Sequence, residues 1–422
     1  MNISIIGTGY VGLVSGACFA SLGHHMICVD VDREKVNKIN NSVSPIYEKG
    51  LDALLQDYKQ NIEATTSYEK AVQNSDITFI CVGTPSLENG DIDLSFVDQA
   101  TKAVASELKE KEGFHSIVVK STVVPGTTEH HVVSLIEQVS GKIAGEDFGV
   151  GMNPEFLREG VAVDDFLHPD RVVYGYVDDR TRKMLADLYA DFSCPIVETS
   201  VTVAEMIKYA SNCFLAAKIS FINEIGNFCK QLGIDVYDVA DGMGLDKRIE
   251  RSFLNAGIGW GGSCFPKDTN ALRAWAEKEG ITSDMISGTI KTNDNQPLQL
   301  ITILKKHIPD LKYKTIGVLG LAFKPDTDDI RDSRSIPLAD ALVKEGASVK
   351  AFDPKAMDNF KKLFSNISYC DSAKQVLDAD AIIIATAWKE FEMLDYSGKL
   401  VIDGRRMLKV KESAKTYEGV CW

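Results

Sequence analysis

The chain has no apolar run of membrane-spanning length, no CxxC pair and no basic leader ahead of its first glycine-rich turn. A bilayer-crossing helix needs about 20 consecutive apolar residues, so no membrane insertion is expected. The opening MNISIIGTGY lacks the basic region of a secretory signal. Nine cysteines at unrepeated spacings then read as free thiols in a reducing compartment, the cytoplasm. No His/Cys set has ligand spacing, so zinc chemistry finds no support. Positive charge is also short: 46 Lys and Arg stand against 60 Asp and Glu, a formal charge of −14. Bulk attraction to nucleic acid or an anionic membrane is therefore not expected, and an anionic ligand has to be held locally by helix N-termini and a few converging cations.

What is present is ample apolar material. With 422 residues, 45% of them hydrophobic, the chain is long enough for two or three domains. The runs ISIIG, HMICVD, ITFICVGTP, SIVVKST, VGMNPEF and RVVYG alternate with amphipathic segments through the first half, the pattern of a parallel sheet covered by helices. From Thr202 to about Leu232 there is no proline and no glycine until Gly226. Apolar residues at Val203, Met206, Ile207, Ala210, Phe214, Ala217 and Phe221 recur at helical spacing there, which predicts one long helix. Helical signals continue to about residue 308, interrupted by the cluster Gly257 to Gly262. A second βα series follows with TIGVLG, ASVKAFDP and ADAIIIATAW. These runs echo the first series, as two related nucleotide-binding units would; buried parallel strands in general look alike, which accounts for the echo equally well.

Gly7-Thr8-Gly9-Tyr10-Val11-Gly12 follows an apolar run and opens a helix beginning near Val11, and the next strand ends at Asp30. That context makes the glycines a dinucleotide fingerprint: a tight turn, close approach of pyrophosphate to backbone amides, and close helix–strand packing. Asp30 is placed to accept hydrogen bonds from a ribose and to repel a 2′-phosphate, which favours NAD over NADP; Arg33 and Lys35 soften the preference. Thr84 and Pro85, in CVGTP, stand where such folds lay a loop over the dinucleotide, or form a plain turn.

The run Gly257-Ile258-Gly259-Trp260-Gly261-Gly262-Ser263-Cys264-Phe265-Pro266-Lys267-Asp268 sets a cysteine behind a flexible loop and ahead of a cation and a carboxylate. Cys18, Cys28, Cys213 and Cys229 read as packing, whereas Lys267 or a helix N-terminus could bring Cys264 into the reactive range. Lys208 and Asn212, four residues apart on the long helix, share one face. Glu155 and Glu159 share a face if their segment is helical.

The segments GGSCFPKDT, AEMIKYASNCFLAAKISFINE, KSTVVPGTT, NPEFLREG and FKPDTDDIRDS resemble those of the UDP-glucose 6-dehydrogenase family, within the UDP-glucose/GDP-mannose dehydrogenase superfamily, in the same order over nearly the whole chain. The resemblance implies an α/β protein with two Rossmann-like, doubly wound parallel-sheet domains joined by a long central helix. Residues 1–198 would be the NAD-binding domain, 199–308 the helical dimerisation and catalytic region, and 309–422 the nucleotide-sugar domain. It further implies four-electron oxidation of UDP-glucose to UDP-glucuronate with two NAD, and a homodimer or larger homo-oligomer. Cys264 would trap the intermediate aldehyde as a thiohemiacetal and carry the thioester. Lys208 and Asn212 would stabilise oxyanions, Asp268 would assist water and proton transfer, and Thr122 and Glu155 would hold the water or act as acid and base. Thr122, Glu159, Lys267 and Arg331 would also face the cofactor, with Gly7, Gly9, Tyr10, Val11, Gly12, Asp30, Lys35 and Thr84. Glu155, Phe156, Leu157, Arg158, Gly261, Phe265, Lys324 and Arg405 would line the sugar pocket with Lys208 and Asn212, and Arg248 would reach in from a neighbouring subunit.

Three other readings differ in their observables. A GDP-mannose or other UDP-sugar 6-dehydrogenase shares the cysteine loop, although HPDRVVYG resembles the UDP-glucose branch more closely. A non-catalytic dinucleotide-binding regulator would form no NADH. A one-hydride alcohol dehydrogenase would form one NADH per sugar.

Overall fold

Strict alternation of apolar and polar residues is missing from the strands. Ile3, Ile5 and Ile6, Ile77, Phe79 and Ile80, and Ile117, Val118 and Val119 are almost wholly buried, so these strands are covered on both faces, as central parallel strands are. The computed structural model describes residues 1–422 and divides into two units, Met1–Ala210 and Ser211–Trp422.

The first unit holds eight strands: β1 (Asn2–Ile6), β2 (His25–Val29), β3 (Ile62–Thr65), β4 (Ile77–Ile80), β5 (Ser116–Val119), β6 (Gly149–Met152), β7 (Val172–Tyr176) and β8 (Ile196–Thr199). Their order is β3-β2-β1-β4-β5-β6-β7-β8. The sheet is not wholly parallel as expected, since β7 runs antiparallel to β6, pairing Gly151 with Tyr176 and Met152 with Gly175. The short helix Ala162–Leu167 lies between the two strands. A parallel return carries the chain back across a sheet face to the end where the previous strand began; here the connection stays at the end where β6 finishes, and β7 starts from that same end. Phe19 anchors the core, edge-on to Phe166 at 5.0 Å and beside Phe79 and Tyr189.

The second unit holds β9 (Thr315–Leu319), β10 (Ser348–Phe352), β11 (Ser368–Tyr369), β12 (Ala381–Ile384), β13 (Leu400–Asp403) and β14 (Thr416–Gly419), all parallel, in the order β11-β10-β9-β12-β13-β14. That order repeats the first six strands of the other sheet, so the sequence echo reflects a repeated doubly wound topology. The two sheets are joined through the helix Val201–Leu232, 32 residues without a break.

At the start of the first sheet a polar ring is sealed inside. Ser75 Oγ donates to Ser4 Oγ (2.9 Å), Ser4 Oγ and Thr78 Oγ1 are 2.6 Å apart, and Thr78 Oγ1 lies 2.7 Å from His115 Nε2. His115 Nδ1 is 3.1 Å from the Ser75 carbonyl, an acceptor only, so Nδ1 carries the proton and Nε2 accepts from Thr78. Burial, helped by the Lys111 charge, pulls His115 down to about 3, against about 6.5 in an unfolded chain. The folded state therefore binds fewer protons. This stability is fully present above about pH 6.5 and is lost as the pH falls from there towards about 3, amounting to at most roughly 5 kcal/mol. His115→Gln should flatten the acid limb of the unfolding midpoint between pH 7 and 4.5; an unchanged slope in denaturant titrations would refute this role.

Candidate active site

The strand order of the first sheet reverses between β1 and β4, which opens a crevice at their carboxyl ends where open α/β sheets take ligands. Gly7 turns there with φ +97°, a conformation that glycine adopts freely. A Cβ on Gly12 would stand 1.9 Å from the Gly7 carbonyl oxygen, whereas one on Gly9 would meet nothing within 4 Å. The third glycine thus lets helix Tyr10–Ser21 pack on the strand, and the second leaves room for a ligand. No side chain caps that helix and no acid lies in its first turn, so its amino end is suited to a pyrophosphate.

Asp30 follows β2. Its Oδ2 accepts from Thr8 N (3.0 Å) and Thr8 Oγ1 (2.6 Å), its Oδ1 from Asp32 N (3.0 Å), and Lys35 Nζ is 3.6 Å away. Burial raises its carboxyl, but the Thr8 and Asp32 hydrogen bonds and Lys35 outweigh that and hold it below the usual range. Asp30 thus braces the glycine loop, with acceptor capacity left for a ribose. Thr84 Oγ1 donates to the Thr122 carbonyl at 2.9 Å, tying the loops after β4 and β5 together; Arg33 lies exposed nearby in sequence. These residues fit NAD.

Still in the first unit, the chain after β6 runs without regular structure from Asn153 to Arg158. Glu155 and Glu159 therefore do not share a helical face, because Pro154 and the left-handed Gly160 (φ +91°) flank a segment with no helical ladder. Glu155 is buried, its Oε1 3.0 Å from Lys208 Nζ and its Oε2 2.6 Å from Leu157 N. Burial pushes the Glu155 carboxyl up, but Lys208 and the Leu157 N–H overcome it and hold it ionised. Lys208, 3% exposed, also stands 5.4 Å from the Phe156 ring centre, and Arg171 covers that ring at 4.0 Å. Arg158 is exposed and forks onto Asp165.

In the second unit Cys264 sits at the amino end of helix Phe265–Lys278, with Pro266 in the first turn. Dipoles there favour negative charge on the sulfur. Cys264 is half-buried, as is Cys194, while the other seven cysteines are buried. Asp268, 1% exposed, accepts from Asn212 Nδ2 at 2.6 Å and pairs with Lys267 at 2.5 Å. The glycine loop ahead of the thiol is packed from below: Gly262 N donates to the Arg331 carbonyl (2.9 Å), and a Cβ on Gly261 would meet the Asp332 carbonyl oxygen at 2.3 Å. Asn293 bonds both backbone groups of Trp260, whose ring meets Phe265 edge-on at 6.3 Å.

Lys324 and Arg331 follow β9, Arg405 follows β13, and Arg248 lies in the turn after helix Val236–Gly244. Lys324 is half-buried, 5.4 Å from the Phe323 ring centre. Arg405 donates from Nε to the Ala385 carbonyl (2.7 Å) and reaches the Gly259 carbonyl at 3.4 Å, and burial lowers it to about 10. Arg331 is exposed and forks onto Asp329; Arg248 does the same onto Asp246.

Several site residues have weak signals in sequence. Lys120 is 4% exposed, donates to Asn153 Oδ1 at 2.8 Å, and is brought down to about 8 by burial. A lysine ending the apolar run SIVVK was its one signal. Glu205, fully buried, accepts from Gly126 N (2.6 Å) and Thr128 N (2.8 Å) and so pins the loop that follows Thr122. Glu48, in a loop with no periodicity, has no sequence signal.

Comparisons with known proteins agree along the chain. Residues 1–193 match the NAD binding domain, 202–295 the central domain and 317–410 the UDP binding domain of the UDP-glucose/GDP-mannose dehydrogenase family. The UDP-glucose 6-dehydrogenase AglM of Haloferax volcanii is 45% identical, with 98% of each chain covered. The GDP-mannose 6-dehydrogenase of Pseudomonas aeruginosa is 38% identical, with both chains fully covered. The solved UDP-glucose dehydrogenase of Pyrobaculum islandicum superposes with a TM-score of 0.96 at 42% identity, over 100% of this chain and 98% of that one. The chain belongs to the UDP-glucose/GDP-mannose dehydrogenase family and is an NAD-dependent dehydrogenase.

Proposed function

We propose that the chain oxidises UDP-glucose to UDP-glucuronate, consuming two NAD per sugar. The observation that carries the reading is Cys264 at an uncapped helix amino end, four residues ahead of the buried Asp268 and Asn212 pair. Relatives named UDP-glucose 6-dehydrogenase at 42% and 45% identity favour that sugar over GDP-mannose, whose named relative is 38% identical.

Bound NAD would supply the hydride acceptor for each of the two oxidations. Gly7, Gly9, Gly12 and the amino end of helix Tyr10–Ser21 would hold its pyrophosphate, and Asp30 its ribose. The alcohol loses a hydride and a proton to give an aldehyde. The Cys264 thiolate adds to that carbon, forming a C–S bond and an oxyanion that is protonated to the thiohemiacetal. Loss of the second hydride and the hydroxyl proton leaves a thioester. Water then cleaves the C–S bond, releasing the carboxylate and regenerating the thiol. Lys208 faces the developing oxyanion, Asn212 orients the reacting oxygen, and Asp268 takes the proton of the attacking water. Glu155, held ionised, orients Lys208, and Thr122 bounds the water. Lys324, Arg405, Phe265 and the loop Glu155–Arg158 take the nucleotide sugar. Residues 1–198, 199–308 and 309–422 then serve the cofactor, the chemistry with assembly, and the sugar.

The working form is a cytoplasmic homodimer. Phe214, Phe221 and Phe228 recur every seven residues on the central helix and are 67%, 48% and 58% exposed. A stripe of this size calls for a partner, and a second copy offers the same stripe. Arg248, exposed on a turn, then reaches the neighbouring site. The test is absorbance at the NADH band with purified protein, NAD or NADP, and a panel of UDP- and GDP-sugars. UDP-glucose with NAD should be fastest and give two NADH per sugar, and the same preparation should sediment at twice the chain mass. One NADH per sugar would remove the second oxidation, GDP-mannose turning over faster would reassign the substrate, and a monomer would remove the shared site.

A further inference from the structure

Glu48 has no place in the chemistry above, yet it is 4% exposed and fully engaged. It lies in the loop before helix Leu51–Asp57, far from any sequence motif. Its Oε2 accepts from the Tyr10 hydroxyl and from Gly160 N (2.7 Å), and its Oε1 accepts from Ala162 N (3.0 Å). Gly160 N also lies 3.0 Å from the Tyr10 hydroxyl oxygen. A carboxylate buried this deeply is tolerated because it collects several donors. The donors come from two places: Tyr10 is the first residue of the helix whose amino end faces the cofactor, and Gly160 with Ala162 closes the irregular segment that begins at Asn153 and carries Glu155.

That segment has no helical or strand ladder, so its shape is set by its anchors. Asn153 is gripped by Lys120 and Tyr189 (2.6 Å) and donates to the Val173 carbonyl (2.8 Å). Arg158 N donates to Asp165 at 2.8 Å. Glu48 is the anchor that also holds the cofactor helix. A shift of Tyr10 when the dinucleotide seats is passed through one carboxylate to Gly160, and from there to the loop whose Glu155 holds Lys208.

We propose that Glu48 is a positioning residue that links occupancy of the glycine loop to the shape of the Asn153–Gly160 loop, so that bound dinucleotide tightens the hold on nucleotide sugar. The proposal rests on the sugar reading above for the identity of the second ligand. Reciprocity of linkage then requires the sugar to tighten dinucleotide binding by the same factor.

Glu48→Gln is the informative change. The side chain keeps its size, but one oxygen becomes an NH2 group, so it no longer accepts from both Gly160 and Ala162. Tyr10→Phe removes the other arm and leaves the carboxylate, and serves as the second variant if the first folds poorly. Calorimetry would give the Kd of UDP-glucose with and without saturating NADH, a pair that forms a complex without reacting. For the unaltered chain the two values should differ about 5-fold or more, within the usual range of coupling between sites. In Glu48→Gln they should agree within about 2-fold, with the NADH Kd alone moved less than about 3-fold. Steady-state assays should show a raised sugar KM with kcat nearly kept, a split that general loss of structure does not produce. No coupling in the unaltered chain would overturn the proposal, as would undiminished coupling in both variants. If the unaltered chain fails to turn over UDP-glucose, it is the sugar reading that fails, and the same titration is run with whichever panel sugar is oxidised.

Discussion

Cys264→Ser should lower net formation of acid by a factor on the order of 10³ or more while NAD and sugar still bind. A thiol titrates near about 8.5 and ionises further at a helix amino end, which is where Cys264 sits. A hydroxyl ionises far less in the same place and leaves an acyl group poorly. The change removes little volume, and Cys264 is only half-buried, so the fold should be unaffected. Intact-mass spectrometry during a single turnover should show an acyl adduct on the unaltered chain and none at residue 264 of the variant. A variant that makes acid at near the original rate would eliminate the covalent route, with the glycine loop then left as a binding element alone.

Lys208→Ala should lower kcat by roughly 10²- to 10³-fold, the usual cost of removing a preorganised group facing an oxyanion, with a much smaller change in sugar KM. This variant carries a complication that the structure makes explicit. Lys208 is 3% exposed and its ammonium is 3.0 Å from the buried Glu155 carboxylate, so removing it strands a charge, at a cost of about 3–5 kcal/mol. Lys208→Ala with Glu155→Gln removes both ends of the pair. The double variant should regain most of the lost thermal stability and none of the lost kcat. Recovery of kcat along with stability would mean that Lys208 acts only by neutralising Glu155. A rise in KM alone would make it a binding residue.

Much of the site's inventory is written in local sequence, because backbone geometry demands particular residue types at short range. Gly7, Gly9 and Gly12 are legible since a Cβ at Gly12 has no room and Gly7 turns at positive φ. Cys264 stands out through its glycine-rich approach and the Lys267-Asp268 pair behind it. The six strands read in the first half and the three in the second exist because buried parallel strands are continuously apolar. Short or edge strands such as β3, β8 and β11 carry only a weak version of that signal and were not legible. Nor was the antiparallel turn of β7, since a strand buried in a sheet looks the same in either direction.

Pairings over long separations were invisible for a different reason: which donors meet a carboxylate depends on where loops converge. Glu48 meets Gly160 across 112 residues and Lys208 meets Glu155 across 53. The central helix shows the division most clearly. Its length and its unbroken course from Val201 to Leu232 follow from the absence of early glycine and of any proline, and the sequence by itself determines them. Its orientation does not follow from its apolar stripe. Its buried face mixes Glu205, Lys208, Asn212, Ser220 and Asn223 with Ala204, Tyr209, Cys213, Ala216 and Ile222, while Val203, Met206, Phe214 and Phe221 are exposed. A hydrophobic pattern alone would turn those large apolar side chains inward as well. Tertiary structure decided it, because the charged and amide groups buried there find partners that recover lost hydration, Glu155 for Lys208, Asp268 for Asn212 and two backbone amides for Glu205, and no local pattern records where those partners will stand.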